Sequence, residues 1–202
     1  MSRARGTSAG TSIRAHRSVL LVLLLLGLAV TTWSGTAGAG VVRFRIQPEA
    51  SEITFKATSR LMDADGRFHR LAGLVVADPM DLTTATITLS IEAASIDTGI
   101  GMRDNHLRSE EFFDVRRFPT ITFESMRVEG AGRRATVAGR LTLHGITRAI
   151  TIPVDVELTS GALVATGEFV INRQDYGLTY RSFLNPIGSE VRVAFTVRAH
   201  AA

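Results

Sequence analysis

Cysteine does not occur in the 202 residues. Its absence removes thiol nucleophiles, disulfide bridges, cysteine-held iron–sulfur clusters, thioether-bound haem and the acylated cysteine of a lipoprotein. The fold must therefore rest on its own core, even in an oxidising compartment. Lysine is nearly absent too: Lys56 is the only one, so the positive charges are almost all arginine. The first 39 positions contain no acidic residue. Several chemical signatures are also missing. No GKS/T or G-x-G-x-x-G follows a strand pattern, no H-E-x-x-H is present, and Ser90, Ser95, Ser109 and Ser125 all lack a G-x-S-x-G setting. Gly99-Ile100-Gly101 is too little for a phosphate loop.

The N-terminal region has a definite order. Arg3, Arg5, Arg14 and Arg17 precede an apolar run, Val19–Val30, and Ala37-Gly38-Ala39 follows. A positive start, a short apolar stretch and a small-x-small site make a secretory signal. Its twelve apolar residues fall short of the ~20 that span a bilayer. The expectation is cleavage near Ala39, with residues 1–39 as signal peptide and 40–202 as the exported domain, periplasmic or secreted. An uncleaved anchor would face the same compartment. The leader removes four arginines and no acids, which leaves 19 basic and 19 acidic residues. A neutral domain whose arginines lack interleaved aromatics gives no case for nucleic acid.

The remaining residues suit one domain with its own core. Period-two alternation dominates them, as in Val42-Arg43-Phe44-Arg45-Ile46, in Ala85–Ile91, in Ile150–Val156 and in Val191–Val197. Half-buried strands read this way. Eight or nine such strands, separated by short glycine-bearing turns, indicate an antiparallel sandwich or closed barrel. The faces expected to point inward carry mainly Val, Ile and Leu with few large rings, which favours a barrel with room inside. Segment 71–77 is apolar on both faces; the face carrying Ala72, Leu74 and Val76 is taken as the inner one.

Alternation fails between Ile96 and Pro119. This interruption contains RDNHLRSEEFFDV, residues 103–115. Glu110 and Glu111 are adjacent and would point about 100° apart on a helix, so they do not flank one bond. Asp104 and Arg108 are spaced for a surface ion pair. Asp104 and His106 form a lone pair with no third or fourth metal ligand beside them. The structural reading is a helical piece over roughly 102–112, packed by Met102, Leu107, Phe112 and Phe113 across one barrel end. A lipid-modifying enzyme using Asp104, His106 and Glu110 or Glu111 is the weaker alternative, and a ligand-free interaction module is a third.

Three ordered motifs sharpen the picture. Asp97-Thr98-Gly99, Arg103-Asp104, His106-Leu107 and Phe112-Phe113-Asp114 lead to Phe118-Pro119. Gly139-x-Leu141-Thr142-Leu143-His144-Gly145-Ile146-Thr147-Arg148 follows. Phe169-x-Ile171-Asn172-Arg173-x-Asp175-Tyr176-Gly177 comes last. Together they resemble the YceI-like family over about residues 42–198. The chain departs from the family pattern at Gln47-Pro48-Glu49-Ala50, where Asp-Pro followed by His-Ser is common. The resemblance implies an all-β, lipocalin-like antiparallel eight-stranded barrel that is exported and non-catalytic, with no cofactor or metal. It implies carriage or storage of a polyprenyl or quinone-like lipid.

Inward candidates for the lipid tail are Phe44, Phe55, Leu74, Ile87, Leu89, Phe123, Leu141, Ile152, Val154, Val193 and Phe195. Arg103, Asp104, Asn172, Arg173 and Asp175 map to a polar network closing one end, or to contacts with a lipid headgroup. This reading admits transient contact with a membrane surface and a homodimer as further partners.

Overall fold

A computed structural model describes residues 40–159, 161–181 and 185–202. The expected signal peptide lies outside the described residues. Strands β1 (Val42–Ile46), β2 (Glu52–Ser59), β3 (Ala64–Phe68), β4 (Leu71–Asp78), β5 (Asp81–Glu92) and β6 (Ile96–Asp97) come first. Helix α1 (Gly101–Arg108) follows, then β7 (Thr120–Ala131), β8 (Arg134–Leu143), β9 (Ile146–Leu158), β10 (Ala162–Asn172) and β11 (Ile187–Ala201).

Every pairing is antiparallel. The order β1-β4-β5-β7-β8-β9-β10-β11 closes through a β1–β11 ladder, so eight strands form a barrel without edges. Beyond it, β2 pairs with β11, β3 with β2, and β6 with β3. The extra segments arise because three staves are each broken in two. A 3-10 turn at Pro48–Ala50 separates β1 from β2, and another at Ala93–Ser95 separates β5 from β6. His69-Arg70 separates β3 from β4. Among the described residues β6 pairs only with β3, and the chain between β6 and β7 carries α1, which packs on β6.

The side-chain period selects the inner face. Ile87, Leu89 and Ile91 of β5 turn inward, as do Ile150, Ile152, Val154 and Val156 of β9. Strand β4 corrects one expectation. Its inner set is Leu71, Val75 and Ala77, all buried, while Leu74 lies on the other face. Both faces of β4 are apolar, so alternation alone does not choose between them. The ladder does: Val75 stands opposite the inward Phe44 and Ile87, whereas Leu74 stands opposite the outward Arg45 and Thr88.

Two positive-φ residues, His144 and Gly145, make the whole β8–β9 connection, with Leu143 paired to Ile146. Two consecutive positive φ angles define the primed hairpin turn, which matches strand twist. A side chain at Gly145 would also strike the Phe118 ring, at 2.5 Å. The second motif therefore builds a hairpin and seats Phe118, whose ring lies 4.5 Å from that of His144.

Candidate functional site

The barrel encloses a cavity of about 440 Å³, within the range of small-molecule sites. Its wall is aliphatic and aromatic except for Thr122, Arg103, His106, Arg173, Tyr180 and Asn185. Of the expected tail residues, Phe55, Ile87, Leu89, Phe123, Leu141, Ile152, Val154, Val193 and Phe195 line this space. Phe44 does not. It is fully buried, paired with Val75 and Ala201, and packs in the surrounding core. Leu74 faces away from the cavity for the reason given above.

Among the described residues seven phenylalanines line the wall, Phe68, Phe112, Phe113 and Phe169 joining those already named. The premise of few inward rings was wrong, and the room has another origin. Glycines lie beneath several of these rings. A Cβ on Gly66 would come within 2.5 Å of the Phe55 ring, one on Gly139 within 2.4 Å of Phe123, and one on Gly167 within 2.6 Å of Phe195. The far edge of each ring lies over a bare stretch of backbone.

Helix α1 and the turns after it cover one end. Arg103, His106 and Leu107 of α1 face the cavity, and so do Phe112 and Phe113. The helix stops at Arg108, short of the expected 112. The Ser109 hydroxyl donates to the His106 carbonyl at 2.7 Å, and Arg108 reaches the carbonyls of Ala94 and Ile96. Adjacent residues on a continued helix would diverge by about 100°. Leaving the helix lets both phenylalanines reach one space. The His106 ring stands edge-on to Phe112 at 5.2 Å and to Tyr180 at 4.9 Å, which joins the 177–181 segment to this cover.

The expected polar set divides in two. Asp104 is only 6% exposed and accepts from the Thr98 amide at 2.9 Å and the Thr98 hydroxyl at 2.6 Å. It does not pair with Arg108 as its spacing suggested; it ties the β6–α1 turn. Arg103 donates to the Thr98 hydroxyl at 2.8 Å, the Thr98 carbonyl at 2.9 Å and the Asp63 carbonyl at 3.4 Å. Arg173 is 5% exposed and donates to the carbonyls of Gly188 at 2.9 Å, Ile187 at 3.1 Å and Leu178. Burial, and then the neighbouring charge of Arg181, push its pKa down. Asn172 accepts from the Gln174 amide at 3.0 Å and caps the Arg173–Tyr176 turn. Asp175 is exposed, and its carbonyl accepts from Arg148 at 3.1 Å. Of the five, only Arg103 and Arg173 reach the cavity.

His106 bonds Glu111 at 2.7 Å, away from the Asp104 pairing with Thr98, so no shared acid–base geometry forms. Among the described residues no cluster of three or more His, Asp or Glu could hold a metal. Sequence reasoning missed Tyr180 and Asn185 as wall residues because they lie outside the strands, where alternation gives no phase.

A family model described as the YceI-like domain matches residues 44–199. A UPF0312 protein of Pseudomonas aeruginosa is 32% identical over 138 residues, which is 65% of this chain and 71% of the relative. BcnA of Burkholderia cenocepacia has a similar structure, with a TM-score of 0.70 at 22% identity over 76% of this chain and 98% of that one. A structure described as a polyisoprenoid binding domain from Saccharophagus degradans, implicated in plant cell wall breakdown, gives 0.65 at 21% identity over 81% and 100%. At these identities the two structures speak to the fold, whereas the sequence model spans nearly all the described chain. The chain belongs to the YceI-like family.

Proposed function

We propose that the protein binds and carries, or stores, a long apolar lipid of the polyisoprenoid class, with its tail in the barrel. The observation that carries this reading is the interior itself, about 440 Å³ walled by Val, Ile, Leu and Phe. A solid-core interaction module would have that space filled. Each methylene moved from water to such a wall contributes about 0.8 kcal/mol, before the cost of ordering the chain. Membership of a non-catalytic family agrees with the local roles of Asp104, His106 and Glu111. The positive, apolar and small-residue order of positions 3–39 supports export, with cleavage near Ala39.

Loading from a bilayer calls for transient contact with its surface. The α1 end offers exposed Leu61, Met62 and Met102 for that purpose. They border Asp63, Asn185 and Arg103, the residues that join the β2–β3 turn to the cavity end.

The direct test is to produce the full chain with its own leader in a lipid-containing host and purify it without detergent. Native and denaturing mass spectra are then compared. An added mass that disappears on denaturation and matches a prenyl lipid in the organic extract is expected. A bare-protein mass in both spectra, together with no uptake of prenyl lipids by the purified protein, would sink the proposal.

A further inference from the structure

Among the described residues the cavity wall contains two arginines and no aspartate or glutamate. Elsewhere on the barrel, arginine is commonly matched with acid: Arg140 lies 3.0 Å from Glu124, and Arg192 pairs with Glu168. At the cavity the pattern changes. Every protein partner found for Arg103 and Arg173 among the described residues is a carbonyl or a hydroxyl. Neutral acceptors orient a guanidinium and spread its charge, but they do not cancel it. Each guanidinium has five N–H donors, and the bonds to these carbonyls and the hydroxyl use three on each side chain.

Both arginines are thus held in fixed poses with donors to spare, beside an apolar space. An anion entering that space would meet charge-assisted bonds of the stronger kind, in surroundings that screen them less than water does. A hydroxyl head would gain much less. We propose that the α1 end of the cavity is an anion-binding head site, and that the carried lipid ends in a phosphate or carboxylate engaged by Arg103 and Arg173. This rests on the carriage reading above and adds the chemistry of the head. Among the described residues no carboxylate lies on the wall or bonds either guanidinium directly, and Asp104 is linked to Arg103 only through the Thr98 hydroxyl, so the ligand is the natural source of a negative charge inside the cavity.

The test uses delipidated protein and four probes: farnesol, farnesyl phosphate, hexadecanol and hexadecanoate. Each is titrated below its own aggregation threshold by native mass spectrometry and calorimetry. The expected result is at least roughly tenfold tighter binding of each anion than of its alcohol, weakening as salt rises. Preference for phosphate alone would narrow the head to a prenyl phosphate type. Preference for both anions would define a general anionic-lipid site. In Arg103→Gln the anion-to-alcohol ratio should fall towards one, and Arg103→Lys should restore part of it. Alcohols bound as tightly as anions, or an undiminished ratio in Arg103→Gln, would overturn the head site while leaving tail carriage standing. Failure of all four probes to bind would overturn both. The comparison among probes in the unsubstituted protein needs no variant to fold.

Discussion

A hydroxyl without a partner and a guanidinium with three carbonyls stand three residues apart in the turn Arg173–Tyr176. Tyr176 is 2% exposed, and its hydroxyl makes no hydrogen bond among the described residues. Burial raises its pKa, with the Asp175 charge adding to the effect. Removing an unmatched buried hydroxyl takes away a desolvation cost, so Tyr176→Phe should leave the melting temperature unchanged or raise it. Arg173→Met does the opposite. It strips donors from the carbonyls of Leu178, Ile187 and Gly188. At about 1–3 kcal/mol for each acceptor left dry, a clear fall in the urea midpoint is expected. Equal effects from the two substitutions would refute this division of roles. On the surface, Asp97 accepts from His69 at 2.8 Å and from the Gly99 amide at 2.8 Å, and these bonds lower its pKa. A depressed carboxylate stabilises the fold above its ordinary pKa of ~3.9 and loses that contribution as pH falls through the depressed value. Asp97→Asn should therefore lower the melting temperature slightly at pH 7, and the difference from the parent should shrink towards pH 3.

Strand β4 gives a sharper test at the next scale, because its two faces are chemically alike. With Leu74 outside and Ile87 on the cavity wall, Ile87→Ala should weaken lipid uptake and cost about 2–5 kcal/mol if its site stays unfilled. Leu74→Ala should cost less and leave uptake alone. Calorimetric titration beside a denaturant curve checks both. The contrast also shows where the sequence is readable. In β5 a polar residue separates each apolar pair from Ala85 to Ile91, and in β9 and β11 most pairs are separated in the same way, Pro153 and Ala194 being the exceptions, so one face is marked and the inner set follows directly. In β4 the marking fails, and only neighbouring ladders choose the face. The cover over the α1 end was legible as an interruption, since Arg103, Leu107 and the two phenylalanines all reach it. Its internal bonding was not. Asp104 bonds Thr98 and not Arg108 because the turn before the helix brings the Thr98 amide and hydroxyl close, a matter of backbone path that spacing does not encode. The broken staves were hidden for a similar reason: Ala93–Ser95 continues an apolar pattern while the backbone turns.

For the molecule as a whole, the proposed carriage of a tail in the cavity links binding to stability. Any species held by the folded barrel alone stabilises it, by about 2.7 kcal/mol when its free concentration is a hundred times the dissociation constant. Protein stripped of lipid should accordingly melt at a lower temperature than protein purified with its cargo, and adding a prenyl lipid back should restore the difference. Coincident melting curves across that series, monitored by circular dichroism, would argue against an interior site.

The glycines under the phenylalanine rings turn the width of the cavity into a property of residues that never meet the cargo. At Gly66 the atoms nearest an added methyl belong to the side chains of Phe55 and Thr98, so the backbone need not yield. A methyl there would tilt the Phe55 ring inward and narrow the bore, much as a shim narrows a sleeve. The barrel could then shift its selection from branched chains to slender ones while every wall side chain stayed the same. Divergence in cargo among such barrels should be sought behind the wall as well as on it.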